Sequence, residues 1–78
     1  MKTKKANRAK KLFAAGDLKR ALGIYKTFPF GFTREEKRAI EIAYESLIGR
    51  EGFYRRLGID TSAMIAQSKD IIYSKYFI

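Results

Sequence analysis

The 78-residue sequence contains neither cysteine nor histidine. Without cysteine, the chain can form no disulfide bond and no thiolate metal site. Without histidine, it lacks imidazole ligands and the side chain that most often serves as a general base. A phosphate-binding loop is also missing, because Gly49 and Gly52 lack the Lys-Ser/Thr pair and the strand that such a loop requires. These absences predict a protein that is not an enzyme and that holds neither a metal nor a cofactor.

Long apolar runs are missing as well. No run approaches the roughly 20 residues that a membrane-spanning helix needs, and the lysine-rich N-terminus lacks the apolar segment of a signal peptide. We therefore expect no membrane span and a cytoplasmic location. A chain of this length has room for one hydrophobic core, so residues 1–78 are expected to form a single helical domain. Residues 1–5 are expected to fray because like charges crowd them.

Positive charge is abundant and unevenly distributed. The net charge at pH 7 is +9. Residues 1–26 contain nine basic side chains and one acidic side chain, whereas residues 27–78 contain eight basic and seven acidic side chains. Such asymmetry indicates an acidic partner, which could be nucleic acid, an anionic membrane or an acidic protein surface. Membrane binding through the first helix is the weakest of the three, because only Leu12 and Phe13 are there to insert.

The segment 33–48 has the clearest helix signals. Thr33 and Glu36 form a capping box, and Gly49 is placed for a left-handed C-terminal cap. The apolar residues of this segment cover an arc of roughly 200°, which suits a helix contacted from several sides. The sequence therefore predicts an all-α fold, a small bundle of four to five helices around a central helix 33–48. The other helices are expected at 3–15, 17–28, 50–57 and 61–77.

Several aromatic and apolar residues leave two interpretations open. In FPFGF, residues 28–32, the aromatic side chains either close one end of the core or form an exposed pad for a partner. The apolar segment 71–78 either docks on the central helix or forms a homodimer surface. Gly23, inside the second helix, marks either a close helix contact or simple tolerance. Phe53, Tyr54 and Leu57 are expected to be the core contacts of the short fourth helix.

The first two helices resemble one tetratricopeptide helical hairpin over residues 9–25, AKKLFAAGDLKRALGIY. The matching residues are Ala9, Leu12, Gly16, Asp17, Leu18, Ala21 and Tyr25. The resemblance implies antiparallel helices and protein binding. No second copy follows, and a solenoid needs about three repeats, so a peptide-binding superhelix is not implied.

Residues 53–69, FYRRLGIDTSAMIAQSK, resemble a helix-turn-helix motif. Leu57, Gly58 and Ile59 match its apolar-Gly-apolar turn, and the motif expects Phe53 and Met64 to be buried. The resemblance implies a DNA-reading face formed by Thr61, Ser62, Ile65, Ala66 and Lys69.

We favour a small non-catalytic binding module that uses its basic N-terminal helix to contact an acidic protein surface. The alternative is nucleic-acid binding, through non-specific phosphate contacts or through the helix-turn-helix. In both cases the candidate contacts are Lys4, Lys5, Arg8, Lys10, Lys11, Lys19, Arg20, Arg50, Arg55 and Arg56. The candidate aromatic contacts for a protein partner are Phe30, Phe32, Tyr73 and Phe77.

Overall fold

A computed structural model describes residues 2–28 and 31–77, with side chains from residue 5 onward. Five α-helices and no strand occur in these ranges, which confirms the predicted all-α fold. A kinked segment, Ser46–Arg50, joins the third helix to the fourth, and Gly49 within it has a non-helical backbone. The helices are α1 (Lys2–Ala14), α2 (Leu18–Tyr25), α3 (Arg34–Glu45), α4 (Glu51–Arg56) and α5 (Thr61–Tyr76).

Helix α3 is the central helix, as predicted, and packs against both α2 and α5. The predicted capping box is present at its start. The Thr33 amide donates to Glu36 Oε1 at 2.9 Å, and the Glu36 amide donates to Thr33 Oγ1 at 3.1 Å. After α3 the chain continues through this kinked segment, in which Gly49 adopts the left-handed backbone predicted for it, with φ of 109°. A left-handed φ of this kind favours glycine because it has no Cβ.

The core draws residues from four helices. Its fully buried members are Ala9, Ala21, Leu22, Tyr25, Ile40, Ala43 and Ile72. Ala9, Ala21 and Ala43 are small, which lets α2 pack closely against both α1 and α3, while the larger side chains fill the space between the helices. The burial of Ile72 places α5 on the core, so the segment 71–78 docks on the rest of the molecule over its described part.

Helices α1 and α2 form a hairpin. Gly16 adopts a φ of +88° at the turn, and the Asp17 carboxylate caps α2 by accepting from the Arg20 amide at 3.2 Å. Helix α1 already begins at Lys2, so the described part of the segment expected to fray is helical. The hairpin itself does not test the resemblance to a tetratricopeptide repeat, which stays a prediction.

An aromatic cluster closes one end of the core. Phe32 lies against Tyr25, Phe28 and Tyr76, with ring centroids 6.2 to 6.4 Å apart. Phe32 is therefore half-buried in this cluster rather than free on the surface, because its neighbours come from both α2 and α5. Phe30 lies outside the described residues, so its assignment as a contact residue is not tested.

The prediction for the fourth helix is wrong in two positions. Phe53 is 56 % exposed and Leu57 is 62 % exposed, although both were expected to contact the core. Helix α4 has only six residues and buries none of them. It is held by Tyr54, whose hydroxyl donates to the Glu45 carboxylate. That hydrogen bond raises the pKa of Tyr54 above its usual value.

Candidate binding groove

Helices α1, α2 and the last turn of α3 border a surface groove of about 470 Å³. We call it the basic groove, because four of the side chains that line it are cationic. The lining residues are Lys5, Arg8, Leu12, Lys19, Arg20, Gly23, Ile24 and Tyr44.

The sequence places these residues together through helical spacing. On α1, Lys5, Arg8 and Leu12 follow one another at intervals of three and four residues, which aligns them along one side of the helix. On α2, the pair Lys19 and Arg20 stands one turn before Gly23 and Ile24. The hairpin brings the two rows next to each other. Because the two helices run antiparallel, Lys5 and Arg8 lie towards the end of α2, beside Thr27, whereas Lys19 and Arg20 lie towards the end of α1. The groove therefore has cations at both of its ends.

Tyr44 forms the α3 side of the groove. A Cβ at Gly23 would lie 3.0 Å from Tyr44 Cε1, so the absence of a side chain at Gly23 allows the ring to approach α2. The ammonium of Lys26 lies 4.8 Å from the centroid of the same ring. This distance permits a cation–π interaction. Lys26 therefore adds a fifth cation at the edge of the basic groove.

Little negative charge opposes these cations. Among the described residues, the one ion pair of the groove joins Arg20 Nε to Asp17 Oδ2 at 3.5 Å. Lys5 Nζ donates to Thr27 Oγ1 at 3.1 Å, which is a neutral acceptor. Arg8 and Lys19 are exposed and form no ion pair with the described residues. The basic groove therefore retains most of its positive charge.

The structure brings together four of the ten predicted cationic contacts. Lys5, Arg8, Lys19 and Arg20 line the basic groove. Lys10 lies elsewhere, with its ammonium 5.4 Å from the centroid of the Phe77 ring. Lys11 is exposed and does not line the groove. The side chain of Lys4 lies outside the described residues, so its assignment as a contact residue is not tested.

The three predicted arginines of the fourth helix belong to a different site. Arg50 and Arg56 line a second surface cavity of about 410 Å³ together with Glu45, Gly49, Gly52 and Phe53. Arg55 forms an ion pair with Glu51 one turn earlier. These arginines thus do not line the basic groove.

The predicted aromatic contacts divide into packed and exposed residues. Phe77 packs against Phe13, with ring centroids 5.2 Å apart, so it is not a free contact residue. Tyr73 is 54 % exposed and stacks on Phe77 with an interplanar angle of 10°. Since Ile71, Ile72 and Phe77 all pack on the molecule, Tyr73 is the large exposed apolar side chain that remains on the described part of 71–78.

Sequence reasoning missed the apolar half of the basic groove. Helical periodicity places Leu12 and Tyr44 on the apolar sides of their helices and Ile24 at the edge of one such side, and it gives no sign of a groove. All three are half-buried, and they pack on the core while also lining the groove. Gly23 was the available signal, because a glycine inside a helix often marks a close approach.

Two residues of the helix-turn-helix resemblance do not have the exposure that the motif requires. Phe53, which the motif expects to be buried, is exposed. Thr61 is 2 % exposed, so it is not accessible as part of a reading face. The exposed members of the implied face are Ser62, Ala66 and Lys69. DNA reading by this segment stays a prediction.

The described residues show no group of three carboxylates that could hold a metal ion. Nor does any helix within residues 2–28 and 31–77 combine the length and the apolar character that crossing a membrane requires.

Comparisons of the chain with protein-family models, with curated proteins and with solved structures found no match. The site is therefore interpreted from its own geometry.

Proposed function

We propose that this protein is a small non-catalytic binding module whose basic groove holds an acidic segment of a partner protein. The observation that supports the proposal is that one groove combines four cationic side chains with an apolar floor, formed by Leu12, Ile24 and Tyr44. Cations attract carboxylates and orient them, while an apolar floor can bury one side chain of the partner. An acidic segment that also carries an aliphatic side chain offers carboxylates to the cations and an apolar group to the floor.

Nucleic acid is the second candidate, because the same cations could neutralise phosphates. The geometry favours it less. Proteins that bind single strands usually offer exposed aromatic rings on which bases stack. Tyr44 is the one aromatic side chain among the lining residues. It is half-buried, with Lys26 over its ring.

The proposal is tested with two labelled peptides followed by fluorescence anisotropy. One peptide is composed of glutamate and serine, and the other has a single leucine at its centre. We expect the leucine peptide to bind more tightly, because the floor of the basic groove buries its side chain. Replacing the floor residue Ile24→Ser should weaken binding of the leucine peptide and leave binding of the other peptide almost unchanged.

The same measurement with a duplex DNA and a single-stranded RNA oligonucleotide separates the two candidates. Tighter binding of an oligonucleotide, with a salt slope near −0.9 per phosphate contacted on the duplex, would replace the protein partner by nucleic acid. Failure of both peptides to bind at low salt would also contradict the proposal. Thermal melts of the Ile24→Ser variant serve as the control for folding.

A further inference from the structure

The exposed side of α4 and of the turn before it forms a second surface, distinct from the basic groove. Its apolar members are Ile48, Phe53 and Leu57, which are 43, 56 and 62 % exposed. Phe53 and Leu57 are four residues apart and therefore lie on the same side of the helix. Ile48 precedes Gly49, which lines the same cavity as Phe53. We call these three residues the α4 patch.

Arginines accompany the α4 patch. Arg50 and Arg56 line the cavity beside Phe53, and neither forms an ion pair with a described residue. Three acidic side chains lie nearby. Glu51 pairs with Arg55, Glu45 accepts a hydrogen bond from the uncharged hydroxyl of Tyr54, and Glu41 is near enough to Tyr54 to contribute to its raised pKa. The patch thus presents apolar side chains next to two guanidinium groups, within a chain of net charge +9.

We propose that the α4 patch docks the protein on the surface of an anionic phospholipid bilayer. Phe53 and Leu57 enter the boundary between headgroups and acyl chains, and Arg50 and Arg56 contact lipid phosphates. Aromatic and aliphatic side chains flanked by cations are the combination that gives peripheral binding to anionic membranes. Guanidinium groups are well suited to phosphate because they can donate two parallel hydrogen bonds.

Two other occupants fit the α4 patch less well. A second copy of the chain would bring its own positive charge against Arg50 and Arg56, and like charges across an interface oppose association. A different protein would need a contact of about 800 Å² on each partner for a stable complex. The patch offers three partly exposed apolar side chains, one in α4 and one on either side of it. A bilayer does not require a contact surface of that size from the protein.

The experiment uses tryptophan fluorescence, because the chain contains no tryptophan. Phe53→Trp places the only tryptophan in the α4 patch, and Tyr73→Trp places it at an exposed aromatic position on α5. Vesicles of phosphatidylcholine alone are compared with vesicles of phosphatidylcholine and phosphatidylglycerol in equal parts. We expect a blue shift of emission for Phe53→Trp with the anionic vesicles only, and none for Tyr73→Trp. An unshifted Phe53→Trp spectrum, or an equal shift for Tyr73→Trp, would overturn the proposal.

Vesicle co-sedimentation of the otherwise unchanged chain then tests which residues carry the binding. Leu57→Ser should lower the affinity for anionic vesicles about tenfold, because it removes buried apolar area. The double variant Arg50→Gln/Arg56→Gln should lower it as well. The matched double variant Arg8→Gln/Lys19→Gln, in the basic groove, should retain more of the affinity. Equal losses for the two pairs would overturn the assignment to the α4 patch, and so would a Leu57→Ser variant that binds like the parent. Circular dichroism melts confirm that each variant is folded.

Discussion

Gly23 of α2 lies directly against the ring of Tyr44 on α3, where an added Cβ would be 3.0 Å from Cε1. This contact determines how closely α2 approaches the end of α3. It also holds Tyr44 at the floor of the basic groove. Packing of the helices and the shape of the groove therefore depend on the same glycine.

A pair of glycine substitutions tests this relationship. Gly52 lies in α4, and a Cβ added there would meet no atom within 4 Å, so Gly52→Ala should raise the free energy of unfolding by about 0.5–1 kcal/mol through helix propensity alone. Gly23→Ala should show none of this gain, because the methyl group must displace Tyr44. Denaturant unfolding measures both values. Equal stabilisation by the two substitutions would show that the contact with Tyr44 does not constrain α2.

The central position of α3 is tested by one truncation in α3 and two in the kinked segment that follows it. Ile40 is fully buried, so Ile40→Ala should cost about 2–5 kcal/mol of stability. Leu47 is half-buried, and Leu47→Ala should cost less than Ile40→Ala. Ile48→Ala is the control, because Ile48 is exposed, and it should change the melting temperature little. An Ile40→Ala variant that melts with the parent would contradict the central role of α3.

The buried Tyr25 should make the stability of the fold depend on pH in the alkaline range. The ring is fully buried, and its hydroxyl has no hydrogen-bond partner among the described residues. Burial, with the neighbouring Tyr76, raises the pKa of Tyr25 from 10.0 to about 12. Because the folded chain favours the neutral phenol, this contribution to stability is complete below the pKa of the unfolded chain. It is lost as the pH rises from about 10 towards 12.

Tyr25→Phe should therefore weaken the fall in melting temperature between neutral pH and about pH 12. It should not abolish that fall, because burial also raises the pKa of Tyr76. At neutral pH the variant should be at least as stable as the parent, since removing an unpaired buried hydroxyl removes its desolvation cost. A variant that is clearly less stable at neutral pH would show that the hydroxyl has a partner.

Glu36 should make the stability of the fold depend on pH in the acidic range. The hydrogen bond from the Thr33 amide, followed by the ion pair with Lys75 at 3.2 Å, lowers the pKa of Glu36. Because the pKa is lower in the folded chain, the stabilisation is present at neutral pH and is lost as the pH falls through the folded-state pKa. Glu36→Gln should lower the melting temperature at neutral pH and flatten its acid dependence. Glu35→Gln, in the same helical turn, is the control for the change in charge, and it should lower the melting temperature less than Glu36→Gln does.

The helices were predictable from the sequence because their signals are local. Thr33 and Glu36 identify the start of α3 by themselves, and Gly16 and Gly49 mark turns that need a left-handed backbone. The exposure of Phe53 and Leu57 was not predictable in this way. Periodicity shows that two residues share one side of a helix, but it does not show whether another element covers that side. Helix α4 is short and follows a turn, so its exposure depends on the tertiary arrangement.

The candidate site was predictable only in part, for the same reason. The cations of residues 1–26 were visible as a cluster of charge, and two of them, Lys5 and Arg8, show helical spacing. Lys5 and Arg8 line the same groove as Lys19 and Arg20 only because the hairpin packs α1 against α2. The floor formed by Tyr44 depends on a contact between α2 and α3 that is distant in sequence. A half-buried residue that serves the core and also lines a groove looks like any core residue in the sequence.

The most direct test of the account compares two charge-reversal variants of equal net charge. Arg8→Glu/Lys19→Glu reverses two cations that line the basic groove. Arg38→Glu/Lys69→Glu reverses two exposed cations on α3 and α5 that do not line it. Each reversal replaces one positive charge by one negative charge, so both variants lower the net charge from +9 by four. Both are measured with the leucine-containing acidic peptide. The account predicts that the groove variant loses about tenfold or more in affinity while the control retains most of it, whereas equal losses in the two variants would contradict it.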